Sequence, residues 1–173
     1  MLYRTSPIMC LPLKYLPVIL FTMVLIFSGS KAIAQNQTHQ KSNVLSENAI
    51  AIAAAMNALD EFMLAFNAQD PVSWARSLNY PHVRFAGGTV TIWQSAAELS
   101  KTDAFERLAK IGWDHSHWLT RDVTMASTTK VHILTKFQRF DSHNIPIATY
   151  QSLYIVTKVD GHWGIQSRSS FAP

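Results

Sequence analysis

Residues 150–166 read YQSLYIVTKVDGHWGIQ. Aromatic and β-branched residues alternate with polar ones on both sides of Asp160-Gly161, a dipeptide that favours the two-residue turn of a β-hairpin. This turn places Val159 opposite His162. Because side chains on a strand point alternately to two faces, the register assigns a face to each residue of both strands.

A second hairpin precedes this one, and its register follows if His143-Asn144 forms the tip of its turn. Together the two hairpins predict an inner face, which helices should cover, and an outer face. The inner face comprises Val131, Ile133, Thr135, Phe137, Arg139, Tyr150, Ser152, Tyr154, Val156, Trp163, Ile165, Ser167, Ser169 and Phe171. The outer face carries polar residues, including Gln166 and Arg168, around an apolar centre formed by Leu134, Leu153 and Ile155.

The apolar centre of the outer face has two interpretations. Apolar residues surrounded by polar ones are typical of a subunit contact, which predicts a homodimer through Leu134, Leu153 and Ile155. The alternative is an ordinary solvated sheet face with scattered aliphatic side chains.

The residues before the sheet have the pattern of helices. Ser46 is a candidate N-cap, and apolar residues then recur at spacings of four and three as far as Phe66, the pattern of one buried helix face. Asp70-Pro71 predicts the start of a second helix, which should run through Leu78 and end at Pro81.

A hairpin around Gly87-Gly88 and a broken third helix should follow. Val83 and Phe85 are expected to face inward on the first strand of this hairpin, with His82 outward. Ser95 to Glu98 and Asp103 to Glu106 both resemble capping boxes. The order of elements predicts an α+β fold, in which three N-terminal helices pack in a curved mixed or antiparallel sheet. Its strands are predicted at 82–86, 89–94, 118–126, 131–140, 147–159 and 162–171.

The first 34 residues have the order of a secretory signal peptide. Basic residues precede an apolar run from Leu16 to Phe27, and Ala32-Ile33-Ala34 predicts cleavage after Ala34. The alternative is a retained membrane anchor, but twelve apolar residues reach only about 18 Å, against roughly 30 Å of hydrocarbon. We therefore expect a periplasmic or secreted protein without a stable membrane anchor after cleavage, with a signal peptide at 1–34, a flexible lead-in at 35–45 and one domain at 46–173.

Charge and cysteine content narrow the possible functions of this domain. The chain has 15 Lys and Arg against 11 Asp and Glu, but three of the bases lie in the leader, so residues 35–173 have a net charge of only +1. This balance argues against binding nucleic acid. The single cysteine, Cys10, also lies in the leader, which excludes a cysteine nucleophile or a disulfide from the predicted exported domain.

The order of motifs resembles the NTF2-like superfamily, in its SnoaL-like branch. The similarity rests on AFNAQD at 65–70, HVRFAGG at 82–88, YQSLYIVTK at 150–158 and DGHWGIQ at 160–166. It covers nearly the whole chain from Ser46 onward. The resemblance implies a cone, in which a bent sheet wraps a long helix and leaves a pocket, and it implies a dimer through the outer sheet face.

The family hosts isomerases, cyclases, hydrolases and dehydratases as well as proteins that only bind or assemble, so the fold alone does not specify a reaction. Steroid isomerases of this fold use a tyrosine on the first helix and an aspartate on the first strand. The matching positions here are Phe62 and Phe85, and both are apolar. The sequence therefore argues against that isomerase chemistry and predicts that both side chains line the pocket.

Residues 113–118, WDHSHW, form the densest polar and aromatic cluster. If this segment is extended, His115 and His117 point the same way, with Asp114 beside them, an arrangement suited to proton transfer. A third metal ligand is not evident, so no metal site and no cofactor is predicted. The alternative is a structural turn with exposed histidines.

The inner face adds hydroxyl groups that either hydrogen-bond within the core or contact a ligand. The predicted ligand-binding residues are Phe62, Phe85, Tyr150, Ser152, Tyr154 and Trp163. Arg139 lies near a strand end and is expected to pair with Asp141, the alternative being an anion.

Three functions follow from these patterns. The first is binding of a small, largely apolar molecule in a central pocket. The second is an acid–base enzyme of isomerase, cyclase or dehydratase type, using Asp114, His115 or His117 on a polyketide-like or steroid-like substrate. The third is a dimerisation module without a ligand.

Overall fold

The computed structural model describes the backbone of residues 16–173 and the side chains of residues 37, 40, 41 and 43–173. The chain divides into two compact units, Met1–Asn43 and Val44–Pro173. In the first unit, residues 16–43 are helical. Residues 1–15 of the predicted signal peptide lie outside the described residues, and the side chains around Ala34 are not described either.

Helix α1 spans Leu16–Asn67, so the predicted helix start at Ser46 is wrong. Residues 31–45 contain neither Gly nor Pro, and therefore nothing in the sequence ends the helix before Ser46. The residues predicted as a flexible lead-in, 35–45, lie within α1. Among the described residues, one helical segment, Asn43–Asn67, has the length and the apolar composition needed to cross a membrane. Its buried face forms part of the domain core.

The other helices are short. Helix α2 spans Pro71–Arg76, α3 Ala96–Leu99 and α4 Ala104–Lys110. Asp70 caps α2 as predicted, since its carboxylate accepts hydrogen bonds from the backbone N–H groups of Val72 and Ser73 at 2.9 and 3.1 Å. A hydrogen bond from the Ser73 hydroxyl, together with these backbone hydrogen bonds, lowers the pKa of Asp70.

The two predicted capping boxes have different outcomes. Ser95 accepts a hydrogen bond from the Glu98 backbone N–H at 3.3 Å, which confirms the first box. Asp103 makes no capping hydrogen bond, because its carboxylate pairs with Arg107 one turn later. Gly112 ends the segment with φ +76°, a conformation that glycine adopts readily.

Six strands form one mixed sheet in the order β2-β1-β6-β5-β4-β3. All neighbours are antiparallel except β1 and β6, which are parallel. Leu78 belongs to β1 and pairs with Ile165, so the prediction that α2 continues through Leu78 to Pro81 is wrong. The strands are β1 Leu78–Ala86, β2 Thr89–Trp93, β3 His115–Ala126, β4 Lys130–Phe140, β5 Pro146–Val159 and β6 His162–Ser170.

The predicted register between β4 and β5 is confirmed from Val131↔Val156 to Arg139↔Ala148. Their predicted inner face is buried, with Val131, Ile133 and Val156 at 0% exposure. Helix α1 contacts the core largely through small residues of one helix face, including Ala51, Ala55, Ala58 and Ala65.

The register between β5 and β6 is confirmed only from Val159↔His162 to Val156↔Ile165. Beyond that point Ile155 pairs with Ser167, so Gln166 is an extra residue, a β-bulge. The Gln166 side chain donates to the Pro81 carbonyl and accepts from the Thr157 hydroxyl, which anchors the bulge to both neighbouring strands.

The bulge reverses the faces of the end of β6. Arg168 pairs with Tyr154 on the inner face, and the prediction that Arg168 faces outward is wrong. Ser167 and Ser169 pair with the outer-face residues Ile155 and Leu153, so their predicted inner position is wrong as well. Phe171, also predicted to be inner, is 82% exposed. Alternation alone cannot reveal this change, because one inserted residue inverts each later assignment.

The predicted faces of β1 are wrong as well. Arg84 pairs with Arg168 and therefore lies on the inner face, which places Val83 and Phe85 on the outer one. His82 is only 4% exposed, whereas Phe85 is 46% exposed. Phe85 and Val83 pair with Val90 and Ile92 of β2, so the outer face of this hairpin is apolar and the hydrophobic pattern indicated the wrong side.

Candidate functional site

A cavity of about 870 Å³ lies inside the domain. Its walls come from the inner face of the sheet, the end of α1 and the short helices α2, α3 and α4. This volume is within the range of small-molecule binding sites in proteins. The cavity is therefore the candidate functional site.

One wall of the cavity is aromatic. Phe62 and Phe66 of α1 stack with ring centroids 5.8 Å apart, and Trp74 packs against Phe66 at 5.4 Å. The Tyr154 ring meets Phe62 edge-on at 5.8 Å. Contacts of this kind hold the rings in fixed positions, and they present a rigid apolar surface to the cavity.

Another part of the cavity lining is basic. Among the described residues that line the cavity, Arg84, Lys101, Arg107, Arg139 and Arg168 are basic, whereas Asp103 is the one acidic residue and pairs with Arg107. Arg84, Arg139 and Arg168 are not paired with any acidic side chain within the described part of the chain.

Arg139 is 6% exposed, although it carries a charge. Its guanidinium lies over the Tyr150 ring, 5.0 Å from the ring centroid, and its Nε has no hydrogen-bond partner in the described structure. Burial lowers the pKa of Arg139, and nearby Arg168 contributes to the same direction.

The predicted pairing of Arg139 with Asp141 is wrong. Asp141 instead accepts hydrogen bonds from the backbone N–H groups of His143 and Ile145, at 2.9 and 2.8 Å, and so closes the turn between β4 and β5. The Ile145 hydrogen bond is the main reason why the pKa of Asp141 is lowered. Arg139 points to the inner face, away from this turn, because strand alternation places it there.

Arg168 and Arg84 are neighbours on β6 and β1. Arg168 donates from Nη1 to the Tyr154 hydroxyl at 3.3 Å, and Arg84 donates from Nη2 to the main-chain oxygens of Ala172 and Pro173 at 3.2 and 3.0 Å. The Nε atoms of both arginines are buried and have no partner within the described residues. Burial, with repulsion by Arg168, lowers the pKa of Arg84 to about 10.

His82 also lines the cavity, contrary to its predicted outward position. Its Nδ1 lies 2.9 Å from the Ile165 carbonyl oxygen. Because a carbonyl only accepts hydrogen bonds, Nδ1 carries the proton and Nε2 holds the lone pair. Burial lowers the pKa of His82 to about 4, so the ring is neutral at pH 7. The ring also stacks on Trp93, with centroids 5.8 Å apart.

A helix wrapped by a curved mixed sheet, with a cavity between them, has a counterpart among known families. A family model described as NTF2-like protein (DUF6841) matches residues 53–170. The chain belongs to this NTF2-like family.

Solved structures share the NTF2-like architecture at low sequence identity. An NTF2-like protein of unknown function from Shewanella oneidensis is 15% identical with a TM-score of 0.56, and the match covers 70% of this chain and 98% of that one. A ketosteroid isomerase-like protein from Erwinia carotovora atroseptica is 17% identical with a TM-score of 0.54, and the match covers 69% of this chain and 93% of that one.

A third structure, Aln2 from a Streptomyces species, is 14% identical with a TM-score of 0.57, covering 70% of this chain and 89% of that one. Similarity at these identities concerns the fold, which in this family leaves the reaction open. A search of curated proteins found no match to this sequence.

Of the predicted ligand-binding residues, Phe62 and Tyr154 line the NTF2-like cavity. Tyr150, Ser152 and Trp163 are on the inner face but outside the cavity lining, and Phe85 is on the outer face. Ser152 donates to the Ser170 hydroxyl at 2.8 Å, so its hydroxyl is satisfied within the core.

Asp114, His115 and His117 also lie outside the lining of the cavity. His115 Nδ1 is 2.9 Å from the Asp114 carboxylate, and the His115 and His117 rings contact each other at 5.0 Å. His115 and His117 are at the start of β3, and both rings pack on Phe140, the last residue of β4. They lie on the side of the strand opposite to buried Ser116. The predicted common direction of the two imidazoles is therefore found. Across the described residues, no group of three His, Cys, Asp or Glu side chains is placed to hold a metal ion.

Proposed function

We propose that this NTF2-like domain binds a small, largely apolar organic molecule in its cavity. The observation that carries the proposal is the combination of about 870 Å³ of space with the aromatic wall formed by Phe62, Phe66 and Trp74. Transfer of an apolar molecule from water to such a wall is favourable, by roughly 25 cal/mol per Å² of apolar surface buried.

Binding can be measured with the uncharged fluorophore N-phenyl-1-naphthylamine, whose emission rises in an apolar environment. Ala104 of α4 lines the cavity, and Ala109 of the same helix is exposed outside it. The Ala104→Phe variant should lose fluorophore binding because the new ring occupies the cavity, while Ala109→Phe should bind as the unsubstituted protein does. Absence of binding by the folded domain, or equal binding by both variants, would overturn the proposal.

The alternative of acid–base catalysis by Asp114, His115 and His117 finds no support in the site geometry. A general acid or base must come within hydrogen-bond reach of its substrate, directly or through one water. These three side chains do not line the cavity in which a substrate would sit.

We also propose that the domain is exported, on the basis of the order of charged, apolar and small residues before Gln35. Expression of the full chain in a bacterial host followed by mass measurement tests this. The expected product begins at Gln35 and is recovered in the periplasmic fraction. A chain that keeps residues 1–34 and sediments with membranes would contradict cleavage.

A further inference from the structure

Two arginines of the cavity differ from the paired arginines of the domain. Arg121 is paired with Asp60 at 2.6 Å, and Arg107 is paired with Asp103. Arg139 lies over the Tyr150 ring, and Arg168 lies over the Tyr154 ring and donates to its hydroxyl; within the described residues neither is paired with an acidic side chain. A buried charge without a counter-ion is costly, so an arrangement of this kind requires a compensating role.

Three arginines of the cavity, Arg84, Arg139 and Arg168, lie close enough together to repel one another. Arg84 and Arg168 stand directly opposite each other on parallel strands, and Arg139 is close enough to both for mutual repulsion. Like charges at opposed positions of a sheet destabilise it. An anion between the arginines would neutralise this repulsion and would accept hydrogen bonds from the unpartnered Nε atoms.

Tyr154 connects this basic cluster to the aromatic wall. Its hydroxyl accepts from Arg168, and its ring packs edge-on against Phe62. The cationic and apolar parts of the cavity therefore adjoin each other, at a distance that one small molecule can bridge.

We infer that Arg139 and Arg168, assisted by Arg84, bind the carboxylate of an otherwise apolar ligand. This inference rests on the proposed function, since it specifies the chemical class of the molecule in the same cavity. The planar guanidinium group suits this role because its fork of N–H donors matches the two oxygens of a carboxylate. The apolar body of the ligand would then lie against Phe62 and its neighbours.

The test compares naphthalene-1-acetate with its uncharged amide, each used to displace N-phenyl-1-naphthylamine. The two probes have nearly the same shape and differ in charge. We expect the carboxylate to bind at least about 10-fold more tightly at pH 7, the effect of one good charge-assisted hydrogen bond. Arg168→Gln and Arg139→Gln should each reduce this preference, and the matched control Arg121→Gln should keep it.

Arg168→Lys gives a second variant in case Arg168→Gln does not fold. It keeps the positive charge but lacks the planar fork, so we expect an intermediate preference for the carboxylate. Equal affinity of the two probes for the unsubstituted protein would overturn this inference and leave the proposed function intact. Failure of both probes and of the neutral fluorophore to bind the folded domain would overturn the proposed function, and this inference with it.

Discussion

Arg84 of β1 and Arg168 of β6 are paired residues on adjacent parallel strands, and within the described residues neither is paired with an acidic side chain. Two guanidinium groups in this position repel each other, and the one acidic side chain in the described lining of the cavity, Asp103, is already paired with Arg107. We expect this repulsion to lower the stability of the domain when no ligand is bound, a cost that is common where a protein keeps a site ready for a ligand.

Removal of one charge should stabilise the empty domain. Arg168→Met replaces the methylene stem with an unbranched apolar side chain and removes the charge and therefore the repulsion. We expect the melting temperature to rise by about 2 to 4 °C, equivalent to ~1 kcal/mol. Arg121→Met removes an arginine that has a partner and should not raise it. The measurement is thermal unfolding without ligand, and a lower melting temperature for Arg168→Met than for Arg121→Met would contradict the prediction.

His82 should make the stability depend on pH. Burial lowers its pKa to about 4 in the folded domain, below the ordinary value of 6.5, so the unfolded chain binds the proton more tightly. Its contribution to the unfolding free energy is fully present above pH 6.5 and is lost as the pH falls toward 4, by about 3 kcal/mol.

Urea unfolding between pH 7 and pH 4 measures this contribution. His82→Gln removes the titrating ring and can still donate to Ile165, so the decline in unfolding free energy with falling pH should be shallower. His162 is exposed, and His162→Gln is the matched control. Parallel pH profiles for the unsubstituted protein and His82→Gln would show that His82 does not titrate as stated.

Gly164 of β6 lies close to the backbone of β1. A Cβ atom at this position would be 2.9 Å from the backbone carbon of Leu78, a distance at which the strand must shift. Gly164→Ala should lower the unfolding free energy by about 1 to 3 kcal/mol, as other overpacking substitutions do. Ser169→Ala, at an exposed position of the same strand, serves as control. Denaturant unfolding checks the difference, and equal stability of the two variants would count against the close approach.

We propose that the outer face of β4 and β5 is the contact of a homodimer. Leu134 is 45% exposed and pairs directly with Leu153, and Ile155 is the next residue of β5 on the same face. Leu153→Lys places a charge in the middle of this apolar centre and should convert a dimer to a monomer. Sedimentation velocity at micromolar concentration measures the change, with Lys136→Ala, on the same face but outside the apolar centre, as control. An unsubstituted protein that is already monomeric would rule the dimer out.

The sequence by itself determined the local structure and much of the topology. Asp160-Gly161 determined the last hairpin as far as Val156, and alternation placed Val131, Ile133 and Arg139 on the buried face. Asp70-Pro71 marked the start of α2, because the Asp70 carboxylate caps the helix through the backbone N–H groups of residues two and three positions later in the chain. Signals of this kind act between neighbours in the chain, and a pattern can therefore reveal them.

The tertiary structure alone decided the site. The bulge at Gln166 depends on hydrogen bonds to Pro81 and Thr157, and the parallel pairing of β1 with β6 decides that His82 and Arg84 face inward. Hydrophobicity suggested the opposite for β1, because Val83 and Phe85 lie on an apolar outer face. Arg84, Arg139 and Arg168 lie on strands that are far apart in the sequence, so their convergence is a property of the folded sheet, in which the bulge at Gln166 turns Arg168 to the inner face.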